Sequence, residues 1–179
     1  YNYPYYPKHM ESLGGWEKDN DYVEYKLYVP EQIPEKYAKV AQMIQKRYNL
    51  HIKKIKKDEI FGENGYGQKI FEVINATFGH LYGYSTLTQR QIDQYVKMYL
   101  PMVDLSLVSL IEDWNTPDHK LIGVGITLPS LTRALQKCRK GRLFPFGWVH
   151  ILRALKRHKT NIVDLLLVGI LPEYRPKGA

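Results

Sequence analysis

Ten residues near the carboxyl end of the chain constrain the fold most. The run from Ile162 to Leu171 is nearly continuous in apolar residues, with Asp164 as its charged member. A strand that faces water on one side alternates polar and apolar residues, so a continuous apolar run indicates a strand covered on both faces. We therefore predict a central strand here, with a sheet built around it.

The turn that follows this run has the composition of an anion site. Pro172 ends the apolar run, and Arg175, Lys177 and Gly178 follow it. Glycine lets a ligand approach the backbone closely, and the two cationic side chains favour an anionic ligand. A buried strand leading to a helix N-terminus is typical of phosphate sites, because the unpaired N–H groups there bind phosphate oxygens. The segment therefore predicts a phosphate-type site.

Upstream, the spacing of apolar residues predicts strands and helices in a definite order. Strands are predicted at Tyr22–Val29, 51–60, Val103–Glu112 and Leu121–Leu128. Helices are predicted after Pro34, from Ile70 to Gly79, behind the capping box of Thr88 and Gln91, from Ser130 to Cys138, and at Trp148–Leu155. The turn chemistry of residues 114–118 joins two of the strands as an antiparallel hairpin.

This order predicts a mixed α/β fold with a central, largely antiparallel sheet and flanking helices. The composition, 44% hydrophobic and 25% charged, is that of an ordinary globular domain. The single Cys138 has no partner for an internal disulfide and is predicted to be a small buried residue. No apolar run approaches the roughly 20 residues needed to span a bilayer, and we expect no membrane partner.

The chain is basic, with a formal net charge of +8, and much of the charge lies between Lys137 and Lys159. Nucleic acid is one possible partner, with aromatic side chains stacking on bases. A solvated helix face is the favoured interpretation, because Arg153 and Arg157 alternate with the apolar stripe of the predicted helix. The aromatic residues Phe144 and Phe146 are expected to pack under a loop, with an acceptor pocket as the alternative.

The segment from Leu167 to Gly178 resembles motif A of the GCN5-related N-acetyltransferase (GNAT) superfamily, whose pattern is [Gln/Arg]-x-x-Gly-x-[Gly/Ala]. Arg175 fills the first position of the pattern and Gly178 the fourth. The order of the upstream elements also resembles that family. The resemblance implies an acyl-CoA N-acyltransferase-like fold that is cut after its fourth strand.

The resemblance further implies a function: transfer of an acyl group from acetyl-CoA, or another acyl-CoA, to an unidentified amine. From the residues themselves we expect no metal, because His150 and His158 lack Cys or His partners at ligand spacing, and a cytoplasmic location, because the lone cysteine fits a reducing compartment. The resemblance implies Glu173 as general base, with a raised pKa that would help it act near neutral pH. It also implies a set of cofactor-binding residues: Leu167, Val168, Gly169, Ile170, Arg175, Lys177 and Gly178.

The amino-terminal residues carry a weaker likeness to the carboxyl end of the same family. We therefore expect residues 1–30 to end one acetyltransferase-like domain, 31–46 to form a linker helix, and 47–179 to begin a second, as an internal fragment of a tandem protein. Two departures support an alternative. Pro176 lacks an N–H for a phosphate, and Met10 stands where the family often has a general-acid tyrosine. A catalytically inactive structural or acyl-CoA-binding domain is thus the second hypothesis, and a nucleic-acid-binding module the third.

Overall fold

The structure, a computed structural model, describes residues 3–62, 64–99, 103–156 and 161–178. The chain divides into two units, Tyr1–Ile33 and Pro34–Ala179. Within the described ranges, every helix is too short or too polar to cross a membrane.

The first unit contains one short helix, α1 (Tyr5–Ser12), and no strand among its described residues. The predicted strand at Tyr22–Val29 is wrong: the segment is irregular and exposed. Alternation of side chains favours a strand only where a neighbouring strand takes up the backbone hydrogen bonds and a surface buries one face. Residues 3–33 contain neither.

The second unit holds the remaining regular elements. They are α2 (Glu35–Tyr48), β1 (Leu50–Lys53), α3 (Tyr66–Phe78), α4 (Gln89–Tyr99), β2 (Val108–Asp113), β3 (Lys120–Pro129), α5 (Thr132–Gln136), α6 (Gly147–Lys156) and β4 (Val163–Ile170). Short 3-10 helices occur at Lys57–Glu59, Leu105–Leu107, Arg139–Gly141 and Pro172–Lys177.

The four strands form one antiparallel sheet in the order β1-β2-β3-β4. The predicted hairpin is confirmed as β2 and β3, with Leu110 opposite Val124. Gly123 of β3 lies opposite Ile170 of β4. The predicted mixed α/β class, with a largely antiparallel sheet and flanking helices, is therefore confirmed.

One face of the sheet carries the hydrophobic core. The helix α3 packs on β3 and β4, and α4 packs on α3. The helices contribute Ile70, Val73, Ile74, Ile92 and Val96, and the strands contribute Leu110, Ile122, Val124 and Ile126. The capping box that opens α4 is confirmed, since the side-chain oxygen Oε1 of Gln91 accepts the N–H of Thr88 at 2.9 Å. This core sets the position of α3 over β4.

Two predicted strands are shorter in the structure. β1 ends at Lys53, because the Glu59 side chain accepts the Lys56 N–H at 2.7 Å and stabilises a 3-10 turn instead. β2 begins only at Val108, because the Asp104 side chain accepts the Ser106 N–H at 2.9 Å and does the same. In both places a local side-chain bond competes with strand pairing.

The apolar strand β4 is found where it was predicted, but its surroundings differ from the prediction. It is the outermost strand of the described sheet, and Leu165 and Leu166, which follow each other in the strand, are 66% and 54% exposed. The prediction of a central strand covered on both faces is therefore wrong for the described residues. A continuous apolar run shows that all residues of a strand could be buried, whereas the neighbouring elements determine which of them are buried.

Between β3 and β4 the chain forms a helical segment that contains α5 and α6, which pack against each other. Cys138 is buried here, as predicted, and its Sγ lies 3.4 Å from the Ala134 carbonyl and 3.5 Å from that of Gly147. The predicted packing of Phe144 and Phe146 under a loop is wrong, because both side chains are exposed.

Candidate functional site

The candidate site begins where β4 ends. The N–H of Leu171 donates to the Ile122 carbonyl at 2.9 Å and anchors the strand end to β3. Pro172 then starts the 3-10 helix Pro172–Lys177, a position that suits proline because its missing N–H would have no partner there. Gly178 ends this turn in the left-handed conformation, with φ of 79°. The predicted phosphate turn is therefore a compact helical turn.

A cleft of about 430 Å³ lies beside this turn, between the end of α3 and the end of β4. One wall comes from α3 and the residues after it, namely Thr77, Phe78, His80 and Leu81. The other wall comes from β4, and Arg175 reaches in from the turn. Of the predicted cofactor-binding residues, the cleft brings together Val168, Gly169, Ile170 and Arg175.

Gly169 lets the two walls come close. A Cβ atom on this residue would lie 2.5 Å from the Oγ1 of Thr77. Thr77 has little freedom to move away, because it is buried and its hydroxyl donates to the Val73 carbonyl at 2.7 Å. The close approach of α3 to β4 at the cleft therefore depends on a residue without a side chain.

Arg175 joins the turn to both walls. Its Nε donates to the Ile170 carbonyl at 3.0 Å, and its Nη2 lies 3.5 Å from the Thr77 carbonyl. A guanidinium has five N–H donors in a fixed fork, so these contacts leave donors for another group. The cleft thus holds a positive charge whose orientation is set by the protein.

The outer edge of β4 also borders the cleft. Successive residues of a strand direct their backbone groups to opposite sides, and Leu171 directs its N–H toward β3. Ile170 therefore directs its groups to the other side, which agrees with its bond to Arg175, and Val168 follows the same alternation. Among the described residues no strand pairs with this edge. It can accept an extended ligand by backbone hydrogen bonds.

The other predicted cofactor-binding residues lie elsewhere. Leu167 packs against the core. The Lys177 ammonium lies over the Tyr174 ring, 4.1 Å from its centre, and 5.7 Å from that of Tyr48. The Gly178 N–H is already bonded to the Arg175 carbonyl at 3.1 Å. Arg175 and Lys177 are therefore held in different surroundings, although they are neighbours in the sequence.

Glu173, the predicted general base, lies on the exposed surface of the turn. Its Oε1 accepts a hydrogen bond from the Lys120 ammonium at 3.1 Å. Its own backbone N–H and Lys120 hold the pKa of the carboxyl below its usual value. The resemblance implied a raised pKa, and in this arrangement the pKa is lowered.

Two carboxylates at the end of β2, Glu112 and Asp113, are buried. Glu112 accepts hydrogen bonds from the Tyr66 hydroxyl and from the indole N–H of Trp114. Burial, followed by the bond to Glu112, raises the pKa of Tyr66. The sequence alone does not indicate that both acids are buried. No local signal reveals the contact with Tyr66, because Tyr66 lies 46 positions from Glu112.

Asp113 has one near and one distant partner in the sequence. Its Oδ1 accepts the Asn115 N–H at 2.9 Å, and its Oδ2 accepts the Tyr174 hydroxyl at 2.7 Å. Asp113 therefore connects the candidate turn to the β2–β3 hairpin. Among the described residues no cluster of His, Cys, Asp or Glu has the arrangement of a metal site.

Comparison with known proteins yields distant relatives. No family model and no solved structure matches the chain. It is 27% identical over 108 residues to the bacterial ceramide synthase of Caulobacter vibrioides, covering 60% of this chain and 27% of that protein. It is 24% identical over 172 residues to protein YghO of Escherichia coli, covering 96% of this chain and 42% of that protein. The chain thus spans less than half the length of either relative.

Proposed function

We propose that the chain is part of an acyl-CoA-dependent N-acyltransferase that acts on an amine. The observation that carries the proposal is the cleft itself, in which the open edge of β4, apolar side chains and the Arg175 guanidinium meet. One of the distant relatives is named a ceramide synthase, and a ceramide is the amide of a fatty acid and a sphingoid amine. An amine of that kind is one candidate acceptor.

The residues of the cleft fit the parts of an acyl-CoA. The pantetheine arm is an extended chain with two amides, and it can hydrogen-bond to an open strand edge as an added strand does. The outward backbone groups of Val168 and the outward N–H of Ile170 would serve it, since the Ile170 carbonyl already accepts the Arg175 Nε–H. The diphosphate carries negative charge, and the free donors of Arg175 suit phosphate oxygens. In the proposed reaction the amine nitrogen forms a bond to the thioester carbon and loses its proton to a base. The C–S bond breaks, its electron pair leaves with the CoA sulfur, and the resulting thiolate takes a proton from the base or from solvent to become the free thiol.

The turn must change for its amides to take part. Pro176 has no N–H, and the Gly178 N–H is bonded to the Arg175 carbonyl. Diphosphate binding through the amides of Arg175–Gly178, with Lys177 nearby, therefore requires this 3-10 turn to open. Until then Arg175 supplies the contact through its side chain.

The alternative, a domain that binds acyl-CoA without catalysis, is favoured by a specific observation. Glu173 is paired with Lys120 and its pKa is lowered, so it is a poor proton acceptor in this arrangement. As a base it would have to leave Lys120 when the acceptor binds. The cleft serves both functions, and only turnover separates them.

The experiment uses the full-length protein that carries this chain, with acetyl-CoA and a long-chain acyl-CoA. At 100 times the dissociation constant, either ligand is expected to raise the free energy of unfolding by about 2.7 kcal/mol. Release of free thiol with an amine panel that includes a sphingoid amine would support the transferase. Binding without thiol release would favour the inactive domain, and an unchanged melting temperature with every acyl-CoA would rule out both.

Arg175→Gln is the matched variant for this experiment. The loss of a charged donor is expected to weaken acyl-CoA binding by about tenfold or more, measured by calorimetry on folded protein. Arg133→Gln is the control, because Arg133 is exposed, bonds to Asn161 and is not among the residues that line the cleft. Equal affinities of the two variants would exclude Arg175 from the site.

A further inference from the structure

The segment that joins β3 to β4, residues 130–162, is here called the insert, and it holds the positive charge of the whole chain. It contains nine of the 26 Lys and Arg residues and none of the 18 Asp and Glu residues. The rest of the chain then has 17 basic and 18 acidic residues, so it is close to neutral. Such a concentration of one sign in one segment is a feature of surfaces that meet an anionic partner.

The insert also exposes large apolar side chains. Phe144 and Phe146, in the connection between α5 and α6, are 78% and 72% exposed. Leu143 and Trp148, on either side of them, are exposed as well. Folded proteins rarely expose so many large apolar residues within six positions unless the surface contacts a partner or a membrane.

The apolar loop is presented by a folded scaffold. The Cys138 sulfur contacts the carbonyls of Ala134 in α5 and Gly147 in α6, and Ala154 of α6 is buried. The indole N–H of Trp148 donates to the Pro145 carbonyl at 3.0 Å and closes the loop on itself. The exposed side chains are therefore held outward by packing beneath them.

Basic side chains flank this loop along the described sequence of the insert. The exposed ones are Arg133, Lys137, Lys140, Arg142 and Arg153. Exposed cations close in sequence to exposed phenylalanine, leucine and tryptophan are typical of segments that lie at the surface of an anionic bilayer. The cations attract the headgroups, and the apolar side chains enter the boundary between headgroups and acyl chains.

We propose that the insert is a docking site for an anionic lipid bilayer, with Leu143, Phe144 and Phe146 entering the interface and Lys140 and Arg142 binding headgroups. The sequence predicted no membrane partner because no apolar run is long enough to span a bilayer, but a segment that lies on the bilayer surface needs no such run. Docking of the insert does not depend on the proposed acyl transfer.

Nucleic acid and an acidic protein are the competing partners, and the side chains favour lipid. Stacking on bases requires flat aromatic rings, and Leu143 and the exposed Leu135 and Leu152 cannot provide it. Tryptophan and phenylalanine beside cations are enriched where a protein meets the lipid interface. Both competing partners are included in the test.

The test is co-sedimentation of the full-length protein with vesicles of phosphatidylcholine alone and of phosphatidylcholine mixed with phosphatidylglycerol. We expect binding to the anionic vesicles that weakens as salt is raised, and little binding to the neutral ones. Lys140→Gln with Arg142→Gln is expected to lower the affinity about 25-fold, from about fivefold per cation. Phe144→Ala with Phe146→Ala is expected to lower it about tenfold or more.

Matched controls lie outside the insert. Tyr25→Ala with Tyr28→Ala removes two exposed aromatic rings, and Lys36→Gln with Lys39→Gln removes two exposed cations. Both controls are expected to bind vesicles like the wild type. Circular dichroism shows whether each variant is folded, and the glutamine pair, which alters only exposed side chains, keeps the test valid if the alanine pair unfolds.

Three results would overturn the proposal: equal binding to neutral and anionic vesicles, loss of binding by the controls to the same extent, or no vesicle binding at low salt. Binding of the insert's cations to RNA or DNA, or to an acidic protein, without vesicle binding would assign the surface to that partner instead.

Discussion

The carboxylate of Asp113 is buried, yet its pKa lies below the usual value. Burial by itself raises the pKa, but the Asn115 N–H, the Tyr174 hydroxyl and the Asn115 amide all donate to the carboxylate, and the charge of Lys177 adds to them. Together these donors outweigh burial. The bond between Asp113 and Tyr174 has the opposite effect on the tyrosine: burial, followed by this bond, raises the pKa of Tyr174 to about 12.

The lowered pKa predicts how stability depends on pH. Because the native carboxyl loses its proton more readily than the unfolded one, its contribution is present above the unfolded pKa and is lost as the pH falls through the native value. Tyr174→Phe removes one donor. We expect it to cost about 1–3 kcal/mol at neutral pH and to flatten the loss of stability in acid.

Urea unfolding of wild type and Tyr174→Phe between pH 3 and 7 measures the stability at neutral pH and its loss in acid. This pH range brackets the ordinary aspartate pKa of about 3.9. Tyr25→Phe is the control, because Tyr25 is exposed. A variant with the wild-type pH dependence would show that the hydroxyl does not hold the Asp113 pKa down.

At the scale of elements, the contact between α3 and β4 determines the shape of the cleft. The helix lies so close to the strand that Thr77 occupies the space a side chain at position 169 would need. The glycine of β3 at position 125 differs: the nearest atom to a Cβ there would be the Ser109 carbonyl oxygen at 3.8 Å, an ordinary contact. The two glycines thus form a matched pair.

Gly169→Ala is expected to destabilise the protein by about 1–3 kcal/mol, because α3 must move to admit the new methyl group. Gly125→Ala is expected to change stability by no more than about 0.5 kcal/mol. Chemical denaturation of both variants gives the comparison. Equal and small effects would mean that α3 shifts freely over β4, and that the cleft is not fixed by this contact.

At the scale of the whole molecule, the two units differ in what they bury. The unit Pro34–Ala179 contains the sheet and the core cluster, whereas every described residue from 3 to 33 is exposed. Apolar burial is the main favourable term in folding, so the first unit has little means of stabilising itself. The sequence instead predicted a strand at Tyr22–Val29, and the family resemblance implied that this segment ends a preceding domain.

Removal of residues 1–33 is therefore expected to leave the thermal unfolding midpoint of the 179-residue chain within about 2 °C of the original. The reason is that every described residue in this segment is exposed, so its removal takes away little buried surface. Differential scanning calorimetry of both forms measures it. Removal of residues 34–49, which takes away all of α2 with its half-buried Ile44 and Tyr48, is the contrasting deletion and is expected to lower the midpoint clearly. A large loss from the first deletion would show that residues 1–33 support the fold.

Local patterns in the sequence determined most of the elements. The spacing of apolar residues after Pro34 predicts α2, Thr88 and Gln91 predict the start of α4, and the turn at residues 114–118 predicts the hairpin. Each of these rests on residues within a few positions of one another, where periodicity, capping and turn geometry act directly. The motif around Arg175 likewise predicted a site in the part of the chain that borders the cleft.

Only the tertiary structure decided what those elements bury and which side chains meet. The exposure of β4 and the burial of Glu112 and Asp113 depend on elements tens of residues away, whereas the outward aromatic residues of the insert depend on the packing of α5 against α6. The separation of Arg175, at the cleft, from Lys177, over Tyr48 and Tyr174, also depends on distant elements. A sequence shows which residues can be buried or paired, whereas long-range packing selects among the possible partners, and that selection made both the cleft and the exposed insert.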